Sequence, residues 1–542
     1  MISDYALHEE RKALYYEKGY WTVQTLWDLW QEQVSKLSDR EYVCDSTGTR
    51  LTYGEIDDKA GRLASWLKEQ GVGNGDVVSF QIPIWADFCY VYVAALKVGA
   101  VMHPLAKNFN EDDLVYGLNL VESSAFICPT FDHKTDYEDQ ILAVSPQVPT
   151  LKAVALIDKK KPSHSELPTL QQIFDTYEPL QEPPASKSDD IACVLSTSGT
   201  TGRPKAVLYT HNNILYSERS YSSGAGRTQD DVMIMMSPLN HATGFFHGLI
   251  SPLVLGGRAV LQEKFSPADA VELANQEHAT WTHGATPFVY DLLNYLDESG
   301  KTVDSLDVFI SGGAPLPSHM VRRAAQYGFK LCESYGSTES CPHVYVPPQC
   351  ALEWDGRFAG IPYEGIEVRI VDNNHLEVPH GEKGEECSRG PNVFVGYLNS
   401  PEQTAKSMDA DGWFYSGDLA TMDDEGRITI CGRIKEIIIR GGENVSANEI
   451  DANLDGCPGL GAHCTVGMPD SRLGERICTF AEPTADDFPS LEDVQKYLDG
   501  KGIQKRLWPE RLERIDALPY TLSGKVKRYE LTAEIKRRMG LL

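Results

Sequence analysis

No run of 18 apolar residues occurs in this 542-residue chain, which excludes a conventional membrane-spanning helix. The opening, Met1-Ile2-Ser3-Asp4-Tyr5, has neither a basic region nor an apolar stretch behind it, so an unexported, cytoplasmic protein is expected. Basic residues are scarce. Fifty Lys and Arg face 78 Asp and Glu, and a net charge of −28 repels polyanions and argues against general nucleic-acid binding. Any phosphate site must therefore be built locally. The 12 cysteines contain no Cys-x-x-Cys pair, and Cys332, Cys341 and Cys350 lie nine residues apart without a supporting histidine pair, so no zinc site is expected. Scattered cysteines of this kind behave as small buried apolar residues in a reducing compartment. Low-complexity tracts and internal repeats are also missing.

What is present is an ordinary globular composition, 42% apolar and 24% charged, on a chain too long for one core. A large composite domain and at least one smaller one are expected. Ile56, Ala60, Leu63, Ala64 and Leu67 recur at helical spacing, and Gly71 and Gly73 supply the stop. Strands are expected at Val77–Phe80, Phe126–Cys128, Ala153–Ile157, Ile191–Leu195 and Val308–Ile310, separated by helix-length segments. That alternation predicts parallel α/β layers. Residues 159–190, rich in Pro, Lys, Ser and Glu, read as a surface connection. Beyond Arg357 short strands and turns, such as Ile366–Val371 before Asp372-Asn373-Asn374, suggest a distorted β-barrel subdomain. About 110 residues after Gly432-Arg433 fit a small α+β domain on a flexible joint.

The most informative segment is Ser196-Thr197-Ser198-Gly199-Thr200-Thr201-Gly202-Arg203-Pro204-Lys205, which follows a strand. Glycines let the backbone approach a polyphosphate, N–H groups and hydroxyls converge on its oxygens, and Lys205 adds charge. It is not a Walker A loop, because Pro204 stands between Arg203 and Lys205 where that loop needs Gly-Lys before Ser or Thr. A Ser/Gly-rich surface loop is the plain alternative, and ten residues of this composition after a strand weigh against it.

This segment resembles the phosphate-loop signature of the adenylate-forming superfamily, which includes acyl-CoA synthetases, peptide-synthetase adenylation domains and firefly luciferase. Further segments agree in order: Pro238-Leu239-Asn240-His241, Ser311-Gly312-Gly313-Ala314-Pro315, Tyr335-Gly336-Ser337-Thr338-Glu339, Tyr415-Ser416-Gly417-Asp418, Gly432-Arg433-Ile434-Lys435 with Gly441-Gly442-Glu443-Asn444, and Ser523-Gly524-Lys525. They span nearly the whole chain. The resemblance implies an α/β N-terminal domain (1–434) holding the acyl pocket and ATP site, and a mobile C-terminal domain (435–542) carrying the catalytic lysine.

It also implies roles. Lys525 would touch the carboxylate and the α-phosphate, and Glu339 with Thr197 would hold Mg²⁺. Thr338 and Glu339 would close on the α-phosphate. Ser198, Gly199, Thr200, Thr201, Gly202 and Lys205 would cradle phosphates, Gly312, Gly313, Ala314 and Pro315 would form the adenine-binding turn, and Tyr335, Gly336 and Ser337 would belong with Thr338 and Glu339 to the signature that closes on the α-phosphate. Asp418 would accept both ribose hydroxyls next to Arg433, Lys435 would be the hinge, and Gly441, Gly442, Glu443 and Asn444 would line a pantetheine tunnel. Standing alone, several of these read more blandly: Lys525 as a solvated lysine near a basic C-terminus, Asp418 as a turn aspartate, Glu339 as an acid at a helix entry and Lys435 as an exposed lysine. Their order along the chain outweighs that reading. His241 would shape the acyl or thiol channel rather than act as a base, because an attacking carboxylate is already ionised at neutral pH. Two small departures, Ala206 for a common glycine and Ser416 for a frequent threonine, remove no needed charge or hydroxyl.

The resemblance further implies ATP, Mg²⁺ and coenzyme A as cofactors, and a carboxylic acid as substrate. Candidate pocket residues are Phe245, Phe246, His247, Gly284, Ala285, Thr286, Pro287 and Ser334, mostly apolar or small. Amino-acid activators carry an aspartate near the His241 region, since a buried ammonium needs a partner, and hydroxybenzoate activators show Asn beside the histidine. Here that stretch reads Ala242-Thr243-Gly244-Phe245, so a neutral short- to medium-chain fatty or alicyclic acid fits better, with Gly336 deepening the pocket. Three alternatives stay open: an adenylating enzyme that loads a separate carrier protein, an aryl acid ligase, and a non-catalytic adenylate-binding protein on the same fold. No attachment segment for phosphopantetheine follows Lys525, so any carrier would be separate. A homo-oligomer is possible without support from the sequence.

Overall fold

In the computed structural model the described residues are 9–197, 205–441, 443–484, 488–520 and 526–542. They form two compact units: residues 1–356, 362–367 and 388–414 in the first, and 357–361, 368–387 and 415–542 in the second.

The first unit is built on two sheets. One runs in the order Ser340–Tyr345, Lys330–Ser337, Val308–Gly312, Trp281–Ala285, Val232–Met235, Arg258–Leu261, Glu41–Asp45, Arg50–Thr52. Its strands from Lys330–Ser337 to Glu41–Asp45 are parallel, and an antiparallel strand flanks that parallel set on each side. The other runs Lys205–Thr210, Ile191–Thr197, Val101–Pro104, Val77–Phe80, Ala125–Pro129, Ala153–Ile157, and only its first pair is antiparallel. Parallel strands need covering on both faces, which is why these segments read as short continuous apolar runs. The strands expected near residues 77, 126, 153, 191 and 308 are all present. The expected helix spans Tyr53–Glu69, opened by a Thr52/Glu55 capping box. Ile56, Ala60, Leu63, Ala64 and Leu67 are fully buried on one face, and Gly71 follows with φ +76°. Residues 159–190 hold more order than their composition suggests. A short helix, Leu170–Thr176, forms there because a Thr169/Gln172 capping box satisfies its first N–H groups and Leu170 and Ile173 are buried.

In the second unit a four-stranded sheet runs Glu367–Val371, Gly384–Arg389, Phe414–Met422, Ile428–Arg433. A five-stranded sheet follows, in which Leu460–Asp470 and Gly474–Pro483 form a long antiparallel pair. Its core gathers Ile438, Val445, Ile450, Leu454, Ile477, Val494 and Leu498. The Ser446 hydroxyl donates to the Cys431 carbonyl at 2.7 Å. Gly432 lies against it with φ +129°, and a Cβ there would come within 2.8 Å of Ser446 Oγ. Half-buried Arg528 pairs with Asp451 at 2.7 Å and Glu436 at 3.3 Å. No helix among the described residues is long and apolar enough to cross a membrane.

Candidate active site

The strands Ile191–Thr197 and Lys205–Thr210 pair antiparallel with Thr197 opposite Lys205. Ser198, Gly199, Thr200, Thr201 and Gly202 lie outside the described residues, as do Gly442 and Lys525. Lys205 projects its ammonium over the ring of Tyr397, 4.4 Å from the centroid. The Tyr397 hydroxyl donates to Glu339 Oε1 at 2.6 Å. A cation, an aromatic ring and a carboxylate thus form one line, and the buried phenol shares the positive edge of its O–H with the acid. Burial and the nearby Glu339 charge push the Tyr397 phenol far up, so it stays a donor.

Glu339 is placed by a hairpin. Ser337 pairs with Ser340, leaving Thr338 and Glu339 at the turn, and the Glu339 carbonyl accepts the Phe394 N–H at 2.8 Å. Ser337 Oγ is buried with no hydrogen-bond partner among the described residues, as expected of a group facing a ligand. A Cβ at Gly336 would come within 2.7 Å of the Ser340 carbonyl oxygen and 3.1 Å of Pro342 Cα. The hairpin itself therefore requires glycine there, a reason that the expectation of a deepened acyl pocket did not contain. The oxygen-only donor set of Glu339 and Thr197 suits a hard cation such as Mg²⁺.

The candidate adenine turn follows the Val308–Gly312 strand, and Gly313 takes φ +94°, a region closed to most side chains. Its neighbour is the candidate pocket strand, with Gly284 opposite Ser311 and Ala285 opposite Gly312. The Thr286 hydroxyl lies 3.3 Å from Ser311 Oγ and 3.4 Å from the Ala314 carbonyl. A Cβ at Gly312 would meet the His283 ring at Nε2 and the Ser334 carbonyl, both at 3.1 Å, so any side chain there would crowd both flanking strands. Parallel register thus brings Gly312, Ala285, Thr286 and Ser334 together.

His241 is half-buried, and its carbonyl accepts the Phe245 N–H at 2.9 Å just before a π-helical stretch, Thr243–Ile250. π-helical geometry of this kind concentrates at functional sites. Phe245 packs edge-on against Phe88, and Phe246 against Tyr209, so both rings are core as much as wall. His247 is fully buried. Its Nδ1 lies 3.0 and 3.1 Å from the two oxygens of Glu218, which also accepts from Ser251 at 2.6 Å, and its Nε2 lies 3.6 Å from Cys341 Sγ. Burial pulls the imidazole down, but Glu218 outweighs it and lifts its pKa to about 10. Tyr221 and His283 both pack on it, with centroids at 4.2 and 4.8 Å, and lie 5.7 Å from each other, so the three rings form one cluster. Burial and the His247 charge hold His283 neutral.

In the second unit Asp418 pairs with Arg433 both in strand register and by an ion pair at 3.1 Å. Gly417, at φ +73°, donates its N–H to Glu385, and Ser416 Oγ accepts from the Asp418 N–H at 3.0 Å while donating to the Glu386 carbonyl. The Ser416 departure thus keeps the hydroxyl that shapes the turn. Lys435 is exposed within the 3₁₀ turn Ile434–Glu436. Arg440 pairs with Glu443 and Ile439 with Asn444, which places Gly441, at φ +62°, in the connecting hairpin.

Sequence reasoning missed Tyr397, Glu218 and His283. Tyr397 stands 58 residues from Glu339, and no local pattern links them.

Residues 30–398 match the family described as AMP-binding enzyme. The chain is 41% identical over 533 residues to a medium-chain fatty-acid–CoA ligase of Escherichia coli (strain K12), covering 98% of this chain and 94% of that one. It is 29% identical to a feruloyl-CoA synthase of an Amycolatopsis species, covering 94% and 98%. The crystal structure of ATP-bound MatB from Rhodopseudomonas palustris superposes with a TM-score of 0.84 at 27% identity, covering 95% of this chain and 99% of that one. An anthranilate CoA ligase, AuaEII, in complex with anthranoyl-AMP gives a TM-score of 0.87 at 20% identity over 96% and 98%, a likeness of fold.

Proposed function

The chain belongs to the AMP-binding enzyme family, and on that premise we propose that it is an AMP-forming acyl-CoA synthetase acting on medium-chain carboxylic acids in the cytoplasm. ATP and the acid yield an acyl-adenylate and pyrophosphate, and coenzyme A then takes the acyl group and releases AMP. The 41% identity over nearly the whole chain to a medium-chain fatty-acid–CoA ligase supports the substrate class.

The line of Lys205, Tyr397 and Glu339 carries the mechanism. Attack of a carboxylate on the α-phosphate joins two anions, so the site must neutralise charge and align the reactants. Lys205 supplies a cation beside the phosphate-loop strands. Tyr397 holds Glu339 in one orientation, which with Thr197 would hold Mg²⁺ on the phosphates. The bound ion would supply charge neutralisation at the phosphate oxygens. The adenine turn 312–315 takes the base, and Asp418, held by Arg433, accepts the ribose hydroxyls through its two carboxylate oxygens. Lys525 bridges the attacking carboxylate and the α-phosphate. Phe245, Phe246 and the Gly284–Thr286 strand wall the acyl chain.

After pyrophosphate leaves, residues 435–542 turn about Lys435 and bring the 441–444 hairpin to the site, where the absent side chains of Gly441 and Gly442 leave room for the pantetheine arm. Incubation with ATP, Mg²⁺, C2 to C12 acids and coenzyme A, scoring pyrophosphate and thioester separately, tests this. Both products, with a maximum at medium chain length, are expected. Pyrophosphate without thioester would favour transfer to a carrier protein, and neither product would favour a non-catalytic binder.

A further inference from the structure

The strand Lys330–Ser337 carries a buried acid that the mechanism does not use. Glu333 is 6% exposed and sits opposite Ser311 in parallel register, its carbonyl accepting the Val346 N–H at 2.9 Å. Its side chain reaches past the candidate adenine turn and accepts the Leu316 N–H on Oε2 at 3.1 Å. One residue therefore fastens the far end of the 311–316 turn to the strand that runs on through Ser334 to Tyr335–Glu339.

We propose that Glu333 is a positioning residue for nucleotide binding, which sets the adenine turn in register with the phosphate-contacting strand end through its hydrogen bond to Leu316. The inference rests on the assignment of those two segments to ATP made above. Shape and surroundings support it. The elements packed on this strand are Val308–Gly312, Ser318–Gln326, Ser340–Tyr345, Pro348–Cys350 and Ala351–Trp354. Their ionisable groups are His319, Arg322, Arg323, Cys341, His343, Tyr345, Cys350 and Glu353, with Lys330, Cys332 and Tyr335 on the strand itself. Arg322 is engaged by Asp355, Arg323 by Asp297 and Lys330 by Asp307. Among the described residues no Lys, Arg or His nitrogen lies within 4.0 Å of the Glu333 carboxylate.

A carboxylate buried without a cation is costly, so the group holds its proton. Burial lifts its pKa to about 8, against the opposing pull of the Leu316 N–H. In its neutral form Glu333 is a hydrogen-bonding bracket that adds no charge beside a triphosphate. Above pH 8 it becomes an anion there.

The test uses the full chain with Glu333→Gln, an uncharged near-isostere whose amide oxygen can still accept from Leu316, and Glu333→Ala. ATP affinity is measured by calorimetry without acid or coenzyme A, together with KM for ATP and for octanoate, between pH 6.5 and 9.5. In the wild type the ATP dissociation constant should rise by up to about tenfold per pH unit above about 8, with KM for octanoate flat. Glu333→Gln should keep the neutral-pH affinity and lose the rise, and Glu333→Ala should weaken ATP about tenfold at pH 7. A Gln variant that keeps the alkaline rise, or an Ala variant with wild-type ATP affinity, overturns the proposal. If the Ala variant fails to fold, the Gln profile alone decides. ATP binding without turnover on any acid would sink the ligase reading while leaving the Glu333 test intact.

Discussion

The Tyr397 hydroxyl donates to Glu339 at 2.6 Å, and the ring that carries it lies beneath the Lys205 ammonium. Two residues assigned to phosphate chemistry from the sequence are thus joined by a third that was not. Tyr397→Phe keeps the ring for Lys205 and removes only the donor. A hydrogen bond to a charged group is worth about 2 kcal/mol, so KM for MgATP should rise roughly 30-fold with KM for the acid unchanged. Initial rates against a MgATP titration check this, and an unchanged KM would mean that the phenol does not orient the acid.

Glu218→Gln leaves the His247 ring without its buried counter-charge, and breaking such a pair costs about 3–5 kcal/mol. The sign with pH follows from the lifted imidazole. His247 titrates near 10 in the folded chain against about 6.5 unfolded. Its contribution is complete below about 6.5 and declines as pH rises to about 10. Denaturant melts at pH 6 and pH 10 should show a large gap between wild type and variant at the lower pH and a smaller one at the higher.

Asp418→Asn removes one acceptor for the ribose and uncouples Arg433, which it meets at 3.1 Å. KM for ATP should increase about 100-fold, equivalent to about 3 kcal/mol. A deoxyribose analogue separates the two effects. The wild type should lose affinity for 2′-deoxy-ATP, while the variant should discriminate little between the two nucleotides.

Lys525→Ala should abolish pyrophosphate release yet leave transfer from a supplied acyl-adenylate to coenzyme A near the wild-type rate. Thioester formation from synthetic octanoyl-adenylate measures the second half-reaction alone. Loss of both halves would end the division of labour assigned to this lysine.

The strands of the first unit were readable because parallel strands covered on both faces write themselves as apolar runs, as at Val77–Phe80 and Val308–Gly312. The Tyr53–Glu69 helix was readable from its buried stripe. The helix at Leu170–Thr176 was not, because its two buried residues are too few to show a period amid prolines and lysines, and only its capping box marked it. Within the site, the candidates that the sequence could single out are contiguous segments, from Thr197 to Lys205 and from Tyr335 to Glu339. Partnerships across the fold were hidden: Glu218 reaches His247 across 29 residues, and Leu316 reaches Glu333 through a turn. Such pairs depend on which strand lies beside which, and that order is absent from any local window.

The bond from Ser446 to the Cys431 carbonyl spans the position assigned as the pivot, with glycine at 432 leaving no side chain in the way. A neutral hydrogen bond of this sort is worth about 1 kcal/mol, close to a fivefold bias at equilibrium. For the rotation proposed above, that is a small share of the resistance to turning. A methyl group at position 432 would act as a doorstop against Ser446 on a backbone that already disfavours side chains, so alanine there would prise the two apart and, in the proposed cycle, hold the pivot to one setting.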